Sequence, residues 1–264
     1  QQFQNRDPRM AQTLMAPGYV DLNGIDEVIE DCKSYDMTGY RFIKFVSDDT
    51  HNGATTSTTD WPVFRYPEIL LTYAEAKAEL GTLTPEDIAL TVDVVRDRVG
   101  MPALDMAAAN NNPDPLMASY YPNVNSGANK GVILEIRRER TVELLMENLR
   151  YWDIMRWKEG KRFEKPFTGL YFPGTGSYDL NNDGVDDVCI WSGSKPATSA
   201  PAVYELNKEI FLSGGDSGYI IIHTDYARSW NEERDYLYPV PTDDRVLTQG
   251  AITQNPGWND GLNF

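Results

Sequence analysis

Apolar residues recur at helical spacing in three stretches of the chain and alternate in a few short ones, and these two rhythms lay out its elements. From Pro67 to Gly81 the residues Ile69, Leu70, Tyr73, Ala74, Lys77 and Leu80 trace one stripe, with the lysine stem lying along it. Pro67 suits the first helical position, because its φ is fixed and it has no N–H to leave unpaired. Glu68 favours the positive helix end, and Gly81 is placed to end the helix. A second helix is predicted at once, with Thr84 as N-cap, Pro85 at the first position and Asp87 in the capping-box place. Ile88, Val92, Val95 and Val99 form its apolar side, and Gly100 and Pro102 stop it. Pro67 to Gly100 spans 34 residues, the length of a tetratricopeptide unit. Tyr73, Ala74, Ala76 and Ala78 fit that signature, but its tryptophan is missing and no second copy follows. A lone unit does not bury its own face, so this pair is expected to need further helices beside it.

The longest helical run is Val132 to Lys165, free of Pro and with no Gly before Gly160, and it is predicted to break near Arg150. Alternation over Gly39–Val46 and an apolar run at Gly218–His223 read as strands, and Phe163–Trp191 as strands and turns. Ser47–Asp60, Met101–Lys130 and Lys195–Pro201 read as loops, Tyr236–Pro241 as extended chain and Thr242–Phe264 as a polar tail. The fold class expected is α+β, mainly helical: a tetratricopeptide-like helix pair, short β-hairpins and long loops in one continuous unit, residues 1–264.

Charge sharpens the picture. The net charge of -16 and pI near 4.5 exclude nucleic acid as a partner and disfavour an anionic membrane surface. Within that acidic chain, Val132–Lys165 carries nine basic and seven acidic residues, a balance that points to local pairing. Arg137 and Arg140 project onto the same helix face as Ile133, Ile136 and Leu144. Burying that face brings guanidinium groups inward, which is costly unless each meets a carboxylate. Glu143, three residues beyond Arg140, and Glu147 on the same side are the expected partners, so Arg137, Arg140, Glu143 and Glu147 read as structural ion pairs. The two cysteines, Cys32 and Cys189, lie in no CxxC pair and beside no histidine, and read as thiols packed as small apolar groups.

Catalytic signatures are scarce. The two histidines, His51 and His223, are far apart, and no HExxH, GxSxG, P-loop or GxGxxG occurs. The acids of the central helix alternate with arginines, which keeps them ionised, the opposite of what a glycosidase general acid needs. One local motif stands apart. Asp179, Asn181 and Asp183 at positions 1, 3 and 5, Gly184 at 6, the Val185 carbonyl at 7 and Asp187 at 9 match the start of a calcium loop. Position 12 is Ile190 in place of the bidentate Glu of an EF-hand, so an EF-hand is excluded. Two readings stay open: a calcium ion in a hairpin loop, or a plain turn in which Asn182, Asp183 and Gly184 supply the geometry.

Four stretches together carry a resemblance. IRRERTVELLMENLRYWDIMRW, within the central run, is similar to the signature of the SusD/RagB family of outer-membrane nutrient-binding lipoproteins. Asn5–Met10 leading into Ala16-Pro17-Gly18, Phe64–Gly81 and Tyr236–Trp258 resemble the same family in the same order. The match is to the family's C-terminal part. The resemblance implies a longer protein with a helical N-terminal part, anchored on the outer leaflet of the outer membrane through a lipid-bearing cysteine upstream. It implies capture of an oligosaccharide or other nutrient and delivery to a SusC-like TonB-dependent transporter, which is binding and not catalysis, with no cofactor beyond the calcium left open above. The alternatives are a carbohydrate hydrolase using paired carboxylates, and a purely structural transporter lid. Sugar C–H faces stack on aromatic rings, and Tyr35, Trp191 and Trp230 are the candidates for the glycan face.

Overall fold

In the computed structural model, which describes residues 2–24, 32–33, 37–48, 50–51, 53, 55–124 and 127–264, the helix expected at Pro67 runs Tyr66–Glu79. An earlier short helix, Arg9–Thr13, is α1, and Tyr66–Glu79 is α2. α2 ends as its sequence demands. Gly81 adopts φ +71°, its N–H donates to the Ala78 carbonyl, and the Thr82 N–H donates back to the Lys77 carbonyl, a Schellman cap. The next helix is capped by the predicted reciprocal box: Asp87 N–H to the Thr84 hydroxyl, and Thr84 N–H to the Asp87 carboxylate. It breaks at Thr91 (φ -128°, ψ -85°) into α3, Pro85–Leu90, and α4, Val92–Asp97.

The phase of α2 departs from expectation. Leu70, Leu71, Ala74, Glu75 and Ala78 are buried, whereas Ile69, Tyr73 and Leu80 are exposed. The shift has a chemical cause: Glu75 turns inward because it accepts hydrogen bonds from Arg156 and from the Trp157 indole N–H. What remains exposed is an apolar stripe of Tyr66, Ile69, Tyr73 and Leu80, spaced at helical intervals, with Lys77 over the Tyr73 ring.

The segment read as a loop, Met101–Lys130, holds two short helices, α5 (Met106–Asn111) and α6 (Pro115–Tyr120). Asp105 and Asp114 cap them by accepting the N–H of Ala108 and Met117, a cap signal set among Asn and Pro residues that favour turns. The central run forms α7, Lys130–Glu143, and α8, Leu149–Arg156. The break falls between Leu144 and Asn148, where Met146 and Asn148 both take the left-handed conformation at φ 62°. α7 packs against α2, α4, α5 and α6. At Gly131 the carbonyl of Ala109 comes so near that an added Cβ would lie 1.8 Å from it, so only glycine serves there. Leu71, Ala74, Ile88, Val92, Val132, Leu134, Ile136 and Trp157 form the core of this helical part.

After a 3-10 turn at Gly160–Glu164 the chain turns to strands: β1 Thr168–Phe172, β2 Gly176–Tyr178, β3 Val188–Trp191, β4 Ala202–Glu205 and β5 Gly218–Ile221. β1 pairs antiparallel with β5; β2 and β3 form an antiparallel hairpin, and β4 lies parallel to β3. Leu170, Phe172, Val188, Ile190, Leu212 and Ile220 build a second core beneath them, with Cys32 packed in it. Cys189 is buried on β3. Gly39–Val46 does not form the expected strand: Phe42 makes one isolated bridge to Leu14, and Phe45 is left-handed at φ 69°. The polar tail opens with a last helix, α9, Thr242–Leu247. Among the described residues no helix is long and apolar enough to cross a membrane.

Candidate functional site

Arg137 and Arg140 of α7 are buried, as the charge pattern requires, but not with the partners their spacing suggests. Arg140 bonds Asp153 on α8 twice, at 3.0 and 3.1 Å, and donates to Thr72. Arg137 lies over the Trp157 ring, 4.5 Å from its centroid, with Glu159 at 3.4 Å and Glu79 at 3.5 Å. Glu143 and Glu147 face the opposite way. Glu143 takes Arg9, Arg65 and Arg98; Glu147 takes Arg65 and Lys44. A local i, i+3 pairing loses here to long-range partners that reach the buried carboxylates from α1, from the N-cap of α2, from the C-cap of α4 and from Lys44. The network therefore ties the N-terminal segment to α7, and it is scaffold, with its carboxylates held by cations.

A cleft of about 450 Å³ opens where that N-terminal segment meets the strands. Its lining includes Gln2, Phe3, Tyr171, Tyr178, Asp179 and Asn182. Gly169 makes the junction possible: the Thr38 carbonyl would sit 2.1 Å from any Cβ there, and it accepts the Leu170 N–H at 2.8 Å. β1 then presents Tyr171 outward, 45 % exposed, its ring edge-on to Tyr219 with centroids 5.3 Å apart. Gln2 is fixed by two bonds, donating to the Tyr171 carbonyl at 3.0 Å and accepting from the Tyr40 hydroxyl at 2.8 Å. Tyr178 stands edge-on to Phe172 at 4.9 Å and donates to the Gly174 carbonyl. Burial raises the phenol pKa of both Tyr40 and Tyr178, so both remain O–H groups at neutral pH. The cleft thus offers the exposed Tyr171 ring beside the fixed Gln2 amide, the Asn182 amide, the Tyr178 hydroxyl and one carboxylate.

That carboxylate, Asp179, is shaped by the loop singled out in the sequence. It accepts the Gly184 N–H at 2.9 Å and the Asn182 N–H at 2.6 Å, and the Gly184 bond leads in holding its pKa down. Asn181 accepts from Asp183 N–H, and Asp183 accepts from Val185 N–H. Asp187 is buried and accepts from Leu180 N–H; burial, with Asp183 and Asp179 nearby, raises its pKa. The loop is a set of nested side-chain-to-backbone turns. Among the described residues, no group of three or more His, Cys, Asp or Glu is arranged to hold a metal ion.

Of the residues proposed for the glycan face, Tyr35 lies outside the described residues. Trp191 ends β3 opposite Glu205, and Trp230 is partly buried between Phe163 and Tyr236, with centroids 5.3 and 5.1 Å away. Gly160 lies so close to the Trp230 indole that an added Cβ would come within 1.9 Å of it. Neither tryptophan lines the cleft, and no ring contact joins them among the described residues. Tyr171 and Tyr178 lie in the stretch Phe163–Trp191 read as strands and turns; Gln2 and Phe3 give no local signal, because it is the chain's return at β1 that brings them in.

The model of the SusD family matches residues 1–258. The chain belongs to the SusD family. Solved SusD-like structures share its fold. A SusD-like protein from Bacteroides fragilis NCTC 9343 superimposes with a TM-score of 0.58 at 23% identity, over 97% of this chain and 39% of its own. A SusD-like carbohydrate binding protein from the same strain gives 0.58 at 23%, over 92% of this chain and 41% of its own. The chain therefore spans about two fifths of the length of these structures. No curated protein matches it.

Proposed function

We propose that this SusD-family chain is the nutrient-binding component of an outer-membrane uptake system and that it holds an oligosaccharide in the Tyr171 cleft. The observation that carries the reading is the exposed Tyr171 ring beside Gln2, Asn182 and Asp179, whose amides and carboxylate suit sugar hydroxyls while the ring suits a C–H face. The B. fragilis neighbour described as a carbohydrate binding protein supports the same ligand class. Delivery to a TonB-dependent transporter, a lipid anchor and a place on the outer leaflet are what the family implies for the whole protein.

Catalysis fits the cleft poorly. A glycosidase needs two facing carboxyl groups, one of them protonated. Asp179 is the one carboxylate lining the cleft among the described residues, and the N–H groups of its loop keep it ionised. Binding alone sets an affinity of roughly micromolar to millimolar, about -8 to -4 kcal/mol. Calorimetry with a panel of neutral oligosaccharides tests the reading. Binding that is lost in Tyr171→Ala, with the saccharide recovered intact, is the expected result. A flat titration across the panel favours the structural-lid alternative, and turnover that disappears with one Asp or Glu favours the hydrolase.

A further inference from the structure

A second cleft, of about 490 Å³, lies at the turn between α7 and α8. Its charged lining is three guanidiniums, Arg140, Arg150 and Arg162, and one carboxylate, Asp153. Asp153 has nothing left to give: Arg140 holds both its oxygens, and Arg156 donates twice to Oδ1. Arg150 and Arg162 are different from the arginines of the network. Arg150 donates to the Thr141 hydroxyl and Arg162 to the Tyr120 carbonyl, both neutral acceptors. Neither forms an ion pair with a carboxylate among the described residues, although the chain carries 40 acidic side chains.

Both guanidiniums are gathered on one ring. Arg162 lies 5.0 Å and Arg150 5.6 Å from the Tyr121 centroid, and Tyr121 is fully buried. Ring stacking holds the two cations close together beside the cleft that both residues line, each donating a hydrogen bond to a neutral acceptor. Their mutual repulsion lowers the Arg162 pKa further, after burial. Buried Glu159 attracts Arg162 electrostatically without bonding it; its hydrogen bonds are with Arg137 and the Asn123 N–H. The surrounding wall adds the Asn148 amide, which is exposed, and the Tyr151 hydroxyl, which is bonded to Tyr238. Two forked donors on a rigid aromatic base, neither ion-paired with a carboxylate among the described residues, in a chain of net charge -16, form a receptor for a planar or tetrahedral oxyanion.

We propose that the Arg150–Arg162 cleft binds an oxyanion carried on a saccharide, a uronate carboxylate or a sulfate ester, so that the nutrient this protein takes is an acidic glycan. The saccharide part rests on the nutrient-binding reading above; the oxyanion part rests on the arginines alone.

The experiment is calorimetric titration of the 264-residue chain with a galacturonate trisaccharide, its neutral methyl ester, a sulfated disaccharide and inorganic sulfate, each at fixed ionic strength. An acidic saccharide should bind at least about tenfold more tightly than the neutral ester, and the difference should shrink as salt rises from about 0.05 to 0.5 M. The uronate and sulfate arms decide between the two carriers. Arg162→Gln should abolish the preference and Arg162→Lys should restore part of it. Because Arg150 and Arg162 both pack on Tyr121, each variant is first checked for an unchanged unfolding midpoint, and Arg150→Lys, which keeps the charge but not the fork, serves as a second variant expected to weaken the acidic ligand alone. Equal affinity for the acidic trisaccharide and its ester overturns the proposal, as does a preference that survives in folded Arg162→Gln. Neutral binding that depends on Tyr171 alongside either result leaves the general reading standing, whereas sulfate binding with no saccharide binding overturns the glycan part.

Discussion

Arg140 on α7 and Asp153 on α8 form a two-point ion pair, Nε to Oδ2 at 3.1 Å and Nη2 to Oδ1 at 3.0 Å, and both residues are only 4 % exposed. This pair fixes α8 against α7 across the left-handed break at Met146 and Asn148. Removing one partner of a buried pair typically costs about 3–5 kcal/mol, since the other charge stays buried. Arg156 still bonds Asp153, so Arg140→Ala should fall near the lower end, about 3 kcal/mol. Urea denaturation measures it. A loss under about 1 kcal/mol would mean that the pair acts like an exposed one.

Stability should fall with acid, and the ion pairs say where. Burial alone would raise Glu147, but Arg65 and Lys44 hold its carboxyl below the ordinary 4.5. Lys77, together with the Thr84 N–H and hydroxyl, holds Asp87 down at about 2. A carboxyl depressed in the folded state binds fewer protons there than in the unfolded chain. Its contribution is complete above the unfolded value and is lost as pH falls through the folded one. The Asp87 part should therefore disappear between pH 3.8 and about 2, and that of Glu147 from 4.5 downward. Glu159, raised by burial, has the opposite sign and gains stability as pH falls toward 4.5. Denaturation midpoints measured from pH 7 to 2 should hold to about pH 5 and then decline. In Lys77→Met the decline below pH 3.8 should flatten; an unchanged slope there would remove Lys77 as the cause.

The helix starts and stops were legible because they depend on neighbours in sequence: Thr84 with Asp87, and Gly81 with Lys77 and Ala78. The burial of Arg137 and Arg140 was legible from their phase. Their partners were not, since Asp153 and Glu159 reach them only after the chain breaks and folds back. The stripe of α2 was misphased by one position because its apolar residues encircle much of the helix, and a buried acid, Glu75, selects the side. The site shows the same limit: Tyr171 falls in a stretch recognisable as strands and turns, but nothing near Gln2 in the sequence indicates a bond 169 residues away.

The Asp179–Asp187 loop should keep its form without calcium. Asp179, Asn181 and Asp183 already accept backbone N–H groups from Asn182, Gly184, Asp183 and Val185, which is how a turn satisfies itself. The expected outcome is a melting temperature that moves by less than about 1 °C between excess calcium and excess chelator, a stability change well below about 0.5 kcal/mol. A chelator-reversible rise that is absent in Asp183→Ala would instead establish the ion, with Asp179, Asn181, Asp183, the Val185 carbonyl and Asp187 around it.

The two sides of α2 should respond oppositely to mutation. Leu71 is fully buried against the core that includes Val132 and Ile136, so Leu71→Ala leaves a cavity and should cost about 2–5 kcal/mol. Ile69 and Leu80 are 58 % and 76 % exposed, and neither touches that core. Ile69→Ser and Leu80→Ser should each change stability by less than about 1 kcal/mol, mostly through helix propensity. The serine pair should also lower binding of a hydrophobic dye, because Tyr66, Ile69, Tyr73 and Leu80 form a continuous apolar stripe on the surface. Urea midpoints and dye fluorescence at one protein concentration read both effects. If Ile69→Ser destabilised as much as Leu71→Ala, the stripe would be buried in solution and the phase described for α2 would be wrong.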